Sequence, residues 1–447
     1  AIVSPARAVP RPGWRLHAMF EDPDFFGDAA LGGAKVQEWR QPVQWRRASE
    51  LVAGAKLFGT IESDNIRQGE LGDCWLLAAV AVLADYPGHI RNLFEETELS
   101  ETGRYTIQLY DIKNGWQAME IDDRLPCDKR GKPLFAAVEK DGCSLWAPLL
   151  EKAFAKFVGG YGNLAGGSAY WAWQVMTGQA YQVRVTRKFQ DGIARWVYWE
   201  LADLKQARID DAAHLRWRSR SKLSWTGPAR TLVDEDAFEE FAAYAQANYA
   251  MCCSIGEGDL EGKRKDGLIS RHEYSVLQVV QVFEHRLVEI RNPWGSRGEW
   301  NGKRSGGDAW RMPHNVAAEL AEGEPTDEDG RFWMPWEDFS EIFGGDVQMC
   351  PVTLPCPRNS QVFDEPEPGS DGVRRSSCHG PRCPQCRQPY TRSWVLLVDG
   401  SWHRLADGAQ LCYLCLRATC RASRSGLMLA GVHLAPKLNL APPAGPR

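Results

Sequence analysis

Cys74 stands at the mouth of an apolar run, in Gln68-Gly69-Glu70-Leu71-Gly72-Asp73-Cys74-Trp75-Leu76-Leu77-Ala78-Ala79, with the amide of Gln68 six residues upstream. That is the layout of a thiol nucleophile with an oxyanion donor. The residues from Trp75 to Ala84 are apolar nearly all round, which predicts a helix buried in a core rather than one lying on a surface. The free N–H groups and positive dipole end of such a helix favour a thiolate at its first residue.

A nucleophile of this kind needs a base, and the base needs a group to orient it. His272 opens His272-Glu273-Tyr274-Ser275-Val276-Leu277-Gln278-Val279-Val280-Gln281-Val282, which reads as a strand. A second β-like run, Leu287-Val288-Glu289-Ile290, leads into Asn292-Pro293-Trp294-Gly295. Polar Glu284, His285 and Arg286 between them suit a hairpin turn, which brings His272 and Asn292 together across an antiparallel pair. Cys, then His, then Asn is the chain order of papain-like thiol proteases.

Taken together, these blocks resemble the calpain family of intracellular cysteine proteases. Gln68 to Trp75, His272-x-Tyr274-Ser275-Val276 and Asn292-Pro293-Trp294-Gly295 occur in the family's order. Phe20-Glu21-Asp22-Pro23-Asp24-Phe25 and Trp45-Arg46-Arg47 are similar to its entry segment. Leu149-Leu150-Glu151-Lys152-Ala153-Phe154-Ala155-Lys156 is similar to the second large helix of its first subdomain, and Phe332-Trp333-Met334 with Asp338-Phe339 to the end of its second. The similarity covers roughly residues 20 to 352.

The resemblance implies an α+β chain with the papain-like cysteine protease fold of two subdomains. The first, 20–187, is helical and supplies Cys74 and Gln68; the second, 188–352, is β-rich and supplies His272 and Asn292. It also implies the roles. Cys74 is the nucleophile, His272 the base and later the acid, and Asn292 the orienter of the imidazole. Gln68 donates to the oxyanion together with the Cys74 N–H, and Trp294 shields the Asn–His bond from water. Gly166-Gly167-Ser168 resembles the glycine pair that lines the family's substrate cleft, although a tight-turn role explains it equally well. The expected substrates are exposed segments of proteins.

Several positions depart from the family pattern. Arg271 precedes the histidine where the family has glycine, so it narrows or recharges the cleft, and Glu273 follows where alanine is common. Strand alternation points Glu273 away from the His272 face. For calcium, which the resemblance implies as a regulator, Glu299 and Asp329 match acidic ligand positions. Yet Arg331 replaces a further acid, and Asn65 and Ser144 stand where acids are common, although Asp64 is adjacent. Weakened or absent calcium dependence follows. Asp327-Glu328-Asp329-Gly330 lacks the further ligand spacing of an EF-hand loop.

At 447 residues the chain has length for two to four domains. A net charge of −5 gives no global attraction to nucleic acid or anionic membrane. No apolar run approaches the roughly 18 residues of a membrane helix. Basic residues at Arg216, Arg218, Arg220 and Lys222, and at Lys263, Arg264 and Lys265, read as solvated loops rather than a nucleic-acid surface. An odd cysteine count of 13, a thiolate site and CxxC pairs fit a reducing, cytoplasmic location.

Outside the protease-like region, residues 1–19 read as a flexible lead-in, 353–376 as a linker rich in proline, serine and acids, and 422–447 as a weakly patterned tail. Between the last two, residues 377–421 carry Cys383-Pro384-Gln385-Cys386 and, after a 25-residue gap, Cys412-Tyr413-Leu414-Cys415. Paired CxxC knuckles have the spacing of a closed, structural zinc site with four thiolate ligands. The strand-like Trp394 to Val398, a turn at Asp399-Gly400, and Trp402 supply a minimal core that a metal staples. Disulfides or free thiols are the competing reading, and Cys378, Cys420, His379 and His403 leave room for a second ion. A site with no open coordination position presents a surface to a protein partner. A catalytically silent scaffold whose zinc module binds a protein or nucleic-acid partner is the alternative to a protease.

Overall fold

The computed structural model of the chain describes residues 18–32, 43–201 and 226–352, less stretches at 52–53, 60, 113, 139–142, 180–181, 248, 257–260, 296–299, 303–315 and 317–329, together with 394–396 and 402–404. Two units divide the chain, Ala1–Asn359 and Ser360–Arg447.

In the first unit the opening half is helical, with short ribbons. Its order is α1 (Gly27–Leu31), β1 (Gln44–Arg47), α2 (Ala48–Leu51), β2 (Ile66–Arg67), α3 (Cys74–Ala84) and α4 (Pro87–Leu93). There follow β3 (Arg104–Asp111), β4 (Gly115–Asp122), β5 (Arg124–Cys127), β6 (Ala137–Val138), α5 (Trp146–Phe157) and α6 (Ala169–Thr177). Every residue of α3 from Trp75 to Ala84 is buried, as its all-round apolar sequence predicts. A helix without a polar face is stable only where neighbours cover all of it; α6 packs against α3, as do two strands of the large sheet described next.

The second half contributes β7 (Gln182–Gln190), β8 (Ile193–Leu201), β9 (Thr226–Leu232), α7 (Asp234–Gln246), β10 (Tyr249–Ile255), β11 (Gly262–Lys263) and β12 (Ile269–Ser270). It continues with β13 (His272–Val282), β14 (His285–Arg291), β15 (Arg331–Pro335), α8 (Trp336–Phe343) and β16 (Val347–Pro351). Eight strands form one antiparallel sheet in the order β15-β14-β13-β10-β16-β7-β8-β9. It begins at Gln182, ahead of the boundary expected at 188, and Val183 and Val185 already belong to its core. The described residues thus make an α+β protein.

Strand alternation decides how the halves join. In β10, Ala250 and Cys252 face the core around α3, whereas Met251, Cys253 and Ile255 face a second core closed by Phe238 and Phe241 of α7 and Phe339 and Phe343 of α8. One sheet therefore serves two cores through side chains that point to opposite faces. The expected hairpin is present: β13 and β14 pair through Ser275↔Arg291 to Val282↔His285, with a bulge between Val276 and Gln278. Its tight turn, at Phe283-Glu284, starts earlier than the polar Glu284-His285-Arg286 stretch suggests, and Phe283 adopts a left-handed φ of 53°.

Helix α5 differs from expectation in one respect. Helical spacing puts Leu149, Leu150, Ala153 and Phe154 on one apolar face with Glu151 and Lys152 opposite, on the side a solvated face would occupy, yet all six are buried. They are tolerated because they are paired. Lys152 Nζ donates to Asp122 Oδ1 at 2.5 Å and to the carbonyls of Asp122 and Arg124, while the Glu151 carboxylate accepts from the Ala136 N–H.

In the second unit, β17 (Trp394–Leu396) and β18 (Trp402–Arg404) pair antiparallel, with Val395 opposite His403. Cys383, Cys386, Cys412 and Cys415 lie outside the described residues, as do the lead-in up to residue 17, the 353–376 linker and the 422–447 tail. Among the described residues no helix is long and apolar enough to cross a membrane.

Candidate active site

Cys74 is the first residue of α3, and the loop before it is held from several sides. Glu70 N–H donates to the Leu134 carbonyl at 2.8 Å, and Gly166 N–H donates to the Gly72 carbonyl at 2.8 Å. At Gly69 any side chain is excluded, since a Cβ would lie 2.3 Å from the Leu134 and Phe135 carbonyl oxygens. Gly167 is constrained in the same way by Trp75, whose indole would meet a Cβ at 2.4 Å, and Gly166 has a left-handed φ of 82°. The glycine pair thus has both a turn role and a packing role beside the nucleophile. Trp75 Nε1 in turn donates to the Leu164 carbonyl at 2.8 Å.

His272 begins β13, opposite Ile255 of β10, and is buried to 1% exposure. Its Nε2 lies 2.8 Å from Asn292 Oδ1. The Trp294 backbone N–H also donates to that Oδ1, at 3.0 Å, which identifies the atom as the amide oxygen and places a proton on His272 Nε2. Trp294 closes over the ring, with centroids 4.9 Å apart, and Tyr274 meets it edge-on at 5.0 Å. The Tyr274 hydroxyl accepts from the Ile269 N–H at 2.8 Å, so the aromatic wall is itself anchored.

Short hydrogen bonds join the half that carries Cys74 to the half that carries His272. Ser275 Oγ donates to the Ala78 carbonyl of α3 at 2.9 Å. Gln68 N–H donates to the Pro293 carbonyl at 2.9 Å, and the buried Arg291 donates to the Ile66 carbonyl at 2.5 Å. Gln68 itself is buried, and its Nε2 donates to the Leu71 carbonyl at 2.7 Å. That bond uses one N–H and orients the amide; the second N–H is available to a substrate oxygen. Cys74, His272, Asn292, Gln68 and Trp294 are therefore gathered from elements far apart in sequence.

Glu261 is a residue that the sequence reading does not single out. Its Oε1 lies 2.6 Å from His272 Nδ1, the ring nitrogen left over by Asn292. The Cys74 sulfur, a His272 ring nitrogen and a Glu261 carboxylate oxygen all lie within 4.8 Å of one another. No local spacing signals this contact, because Glu261 reaches the ring through the β11–β12 ribbon rather than along β13.

The electrostatics differ from those expected of a bare helix mouth. Burial pushes the Cys74 thiol up, and the carboxylates of Glu261, Glu273 and Asp73 add to it, against a backbone hydrogen bond from Glu273. Burial thus works against the thiolate that the helix end alone favours. Next to Cys74, burial pushes the Asp73 carboxyl up to about 7, and Glu151 is raised by burial and by the neighbouring Asp73. Glu273 points to the opposite face of β13, where Gln348 Nε2 donates to it at 3.2 Å, and burial raises its pKa as well.

Arg271 is exposed and holds a left-handed φ of 52°. That conformation, free of cost for glycine alone, accounts physically for a preference for glycine before the histidine. Arg331 of β15 donates from Nε to Asp64 Oδ1 at 2.6 Å, from Nη2 to Ser63 Oγ at 2.7 Å and from Nη1 to Glu289 Oε1 at 3.1 Å. Asp64, the acid nearest the expected calcium positions of the first half, is thus engaged by a guanidinium. Glu299 and Asp329 lie outside the described residues.

Comparison with known proteins places this geometry. A sequence profile described as calpain family cysteine protease matches residues 20–351. A rice protein, calpain-type cysteine protease ADL1, is 32% identical over 75% of this chain and 14% of its own length. A calpain of Schistosoma mansoni is 31% identical over 77% of this chain and 41% of its own length. Rat calpain-9 is 30% identical over 75% of this chain and 43% of its own length. The chain matches less than half the length of each of these relatives.

Proposed function

The chain belongs to the calpain family of cysteine proteases, and we propose that it is a thiol endopeptidase that cuts exposed protein segments through an acyl-enzyme at Cys74. The observation that carries this reading is the shared Asn292 oxygen, bonded to His272 Nε2 at 2.8 Å and to the Trp294 N–H at 3.0 Å. It orients the imidazole so that Nδ1, not Nε2, is turned to the nucleophile's side.

When Glu261 swings off the ring, Nδ1 takes the Cys74 proton as the sulfur attacks the substrate carbonyl carbon. The carbonyl oxygen gathers charge and meets the Cys74 N–H and the second Gln68 N–H, donors of the type that stabilise a tetrahedral intermediate. The imidazolium then protonates the leaving amine. A water, deprotonated by the same Nδ1, attacks the thioester and frees the acid product and Cys74. Gly166 and Gly167 border the loop of Cys74 and leave space for substrate backbone, whereas Arg271 adds charge at the rim.

Calcium dependence on this reading is weakened or absent. The residues present do not fit a calcium site in the helical half, because Arg331 already engages Asp64 there. The guanidinium, disfavoured by burial, is held charged by Glu289 and Asp64, so it ties the two halves in the manner a cation would. In the tail, Cys383, Cys386, Cys412 and Cys415 form a structural zinc ribbon for a protein partner. Support for it is the CxxC spacing and the hairpin of β17 and β18 between the pairs. The same thiols argue for a reducing, cytoplasmic setting.

Labelling by a thiol-directed peptide electrophile, with and without calcium and against Cys74→Ser, tests the enzyme. Cys74-dependent labelling in the presence of chelator is expected; its absence under every condition leaves the silent-scaffold alternative. Zinc content of the full chain, compared with a Cys383→Ser, Cys412→Ser variant, tests the tail.

A further inference from the structure

We propose that Cys74, His272 and Glu261 form an inhibitory site for Zn2+, assembled from the proposed catalytic pair and one loop carboxylate. The inference rests on the protease reading only in taking Cys74 and His272 as that pair.

The ligand set is one thiolate, one imidazole and one carboxylate, the donor types that zinc takes in sites with three protein ligands and an open fourth position. All three donor atoms lie within 4.8 Å of one another. Metal–ligand bonds are about 2.0–2.3 Å, so the atoms must draw in slightly, and the Glu261 side chain, 36% exposed, has room to rotate. The support around the site is what a metal-bound histidine needs. Such a ring donates its second N–H to an oxygen that fixes its orientation; here Asn292 Oδ1 accepts from Nε2 at 2.8 Å and turns Nδ1 towards Cys74 and Glu261. The Trp294 ring, 4.9 Å from the imidazole, limits competing water.

Binding has a definite proton balance. Zinc takes the Cys74 sulfur as thiolate, so the thiol proton it replaces leaves to solvent. A bound ion occupies the nucleophile's electron pair and the base nitrogen together. It therefore blocks the first step rather than assisting it.

The test follows Cys74 alone, so that the tail thiols do not interfere. The full-length chain is incubated in zinc-buffered solutions and alkylated with iodoacetamide, and the Cys74 peptide is quantified by mass spectrometry. In parallel, Co2+ is titrated and the thiolate-to-metal absorption of Cys74→Ser is subtracted from that of the wild type. Zinc is expected to slow Cys74 alkylation at least about tenfold, and Glu261→Ala to move the midpoint up by about tenfold or more. A Cys74-dependent cobalt band, weakened in Glu261→Ala, is the matching spectral result. Unprotected alkylation together with no Cys74-dependent cobalt band overturns the proposal, as does a midpoint unchanged by Glu261→Ala. Peptide-electrophile labelling without zinc separates the outcomes: if it succeeds while zinc has no effect, the zinc site fails and the protease reading stands.

Discussion

Arg331 Nε lies 2.6 Å from Asp64 Oδ1, so a guanidinium from the sheet half grips a carboxylate from the helical half, and the same group reaches Glu289 at 3.1 Å. Cys74 belongs to the helical half and His272 to the sheet half. The contact puts a fixed positive charge between two carboxylates at this junction.

Replacing Arg331 by Gln removes the charge and breaks its ion pair with Glu289, which is 2% exposed at its side chain. Breaking one partner of a buried pair costs about 3–5 kcal/mol, and the part-exposed Arg331 belongs at the lower end. Expected outcomes are a loss of about 3 kcal/mol in urea denaturation and slower labelling of Cys74, with calcium giving no rescue. Unchanged labelling would show that the other junction bonds suffice.

Gln68→Ala takes away the proposed oxyanion donor and keeps Cys74, His272 and Asn292. Such a loss lowers kcat about 100- to 1,000-fold. Steady-state kinetics on a peptide amide should show the fall in kcat with KM little moved; a change confined to KM assigns Gln68 to substrate binding instead.

Lys152 and Asp122, both fully buried at their side chains, meet at 2.5 Å. Lys152→Met removes the buried cation from Asp122 Oδ1 and leaves Arg124, 2.7 Å from Oδ2, as its remaining ion pair, and a loss of about 3 kcal/mol is expected. Thermal unfolding reads it directly. A shift within about 0.5 kcal/mol of wild type would mean that the Arg124 and Asp22 contacts carry the carboxylate unaided.

His89 of α4 is buried, and burial lowers its pKa from 6.5 to about 3. The unfolded chain therefore binds a proton below about pH 6.5 that the folded chain refuses, so stability is full above that pH and falls as the pH drops towards 3. At pH 5 the loss from this group is about 2 kcal/mol. Denaturation midpoints of wild type and His89→Leu at pH 7 and pH 5 should show a shallower acid decline in the variant. Parallel declines would count against the assignment.

Local signals served the chemistry well where neighbours in sequence are neighbours in space. The apolar run after Cys74 announces a helix with no exposed face, and the alternating residues from His272 to Val282 announce a strand whose hairpin returns to Asn292. Helix α5 shows the limit: the spacing that correctly buries Leu149 and Phe154 also assigns Glu151 and Lys152 to water, because periodicity carries no record of Asp122 and Asp73 waiting on the other side.

What the sequence by itself determined is the order of Cys74, His272 and Asn292 and the elements that carry them, since each sits in a short motif whose backbone form is set by its own residues. Only the tertiary structure decided their state. Glu261 on His272 Nδ1, the buried acids Asp73 and Glu151, and Arg331 across to Asp64 are contacts between residues 11 to 267 positions apart. Electrostatic interaction depends on distance and burial, and neither is written in any local pattern.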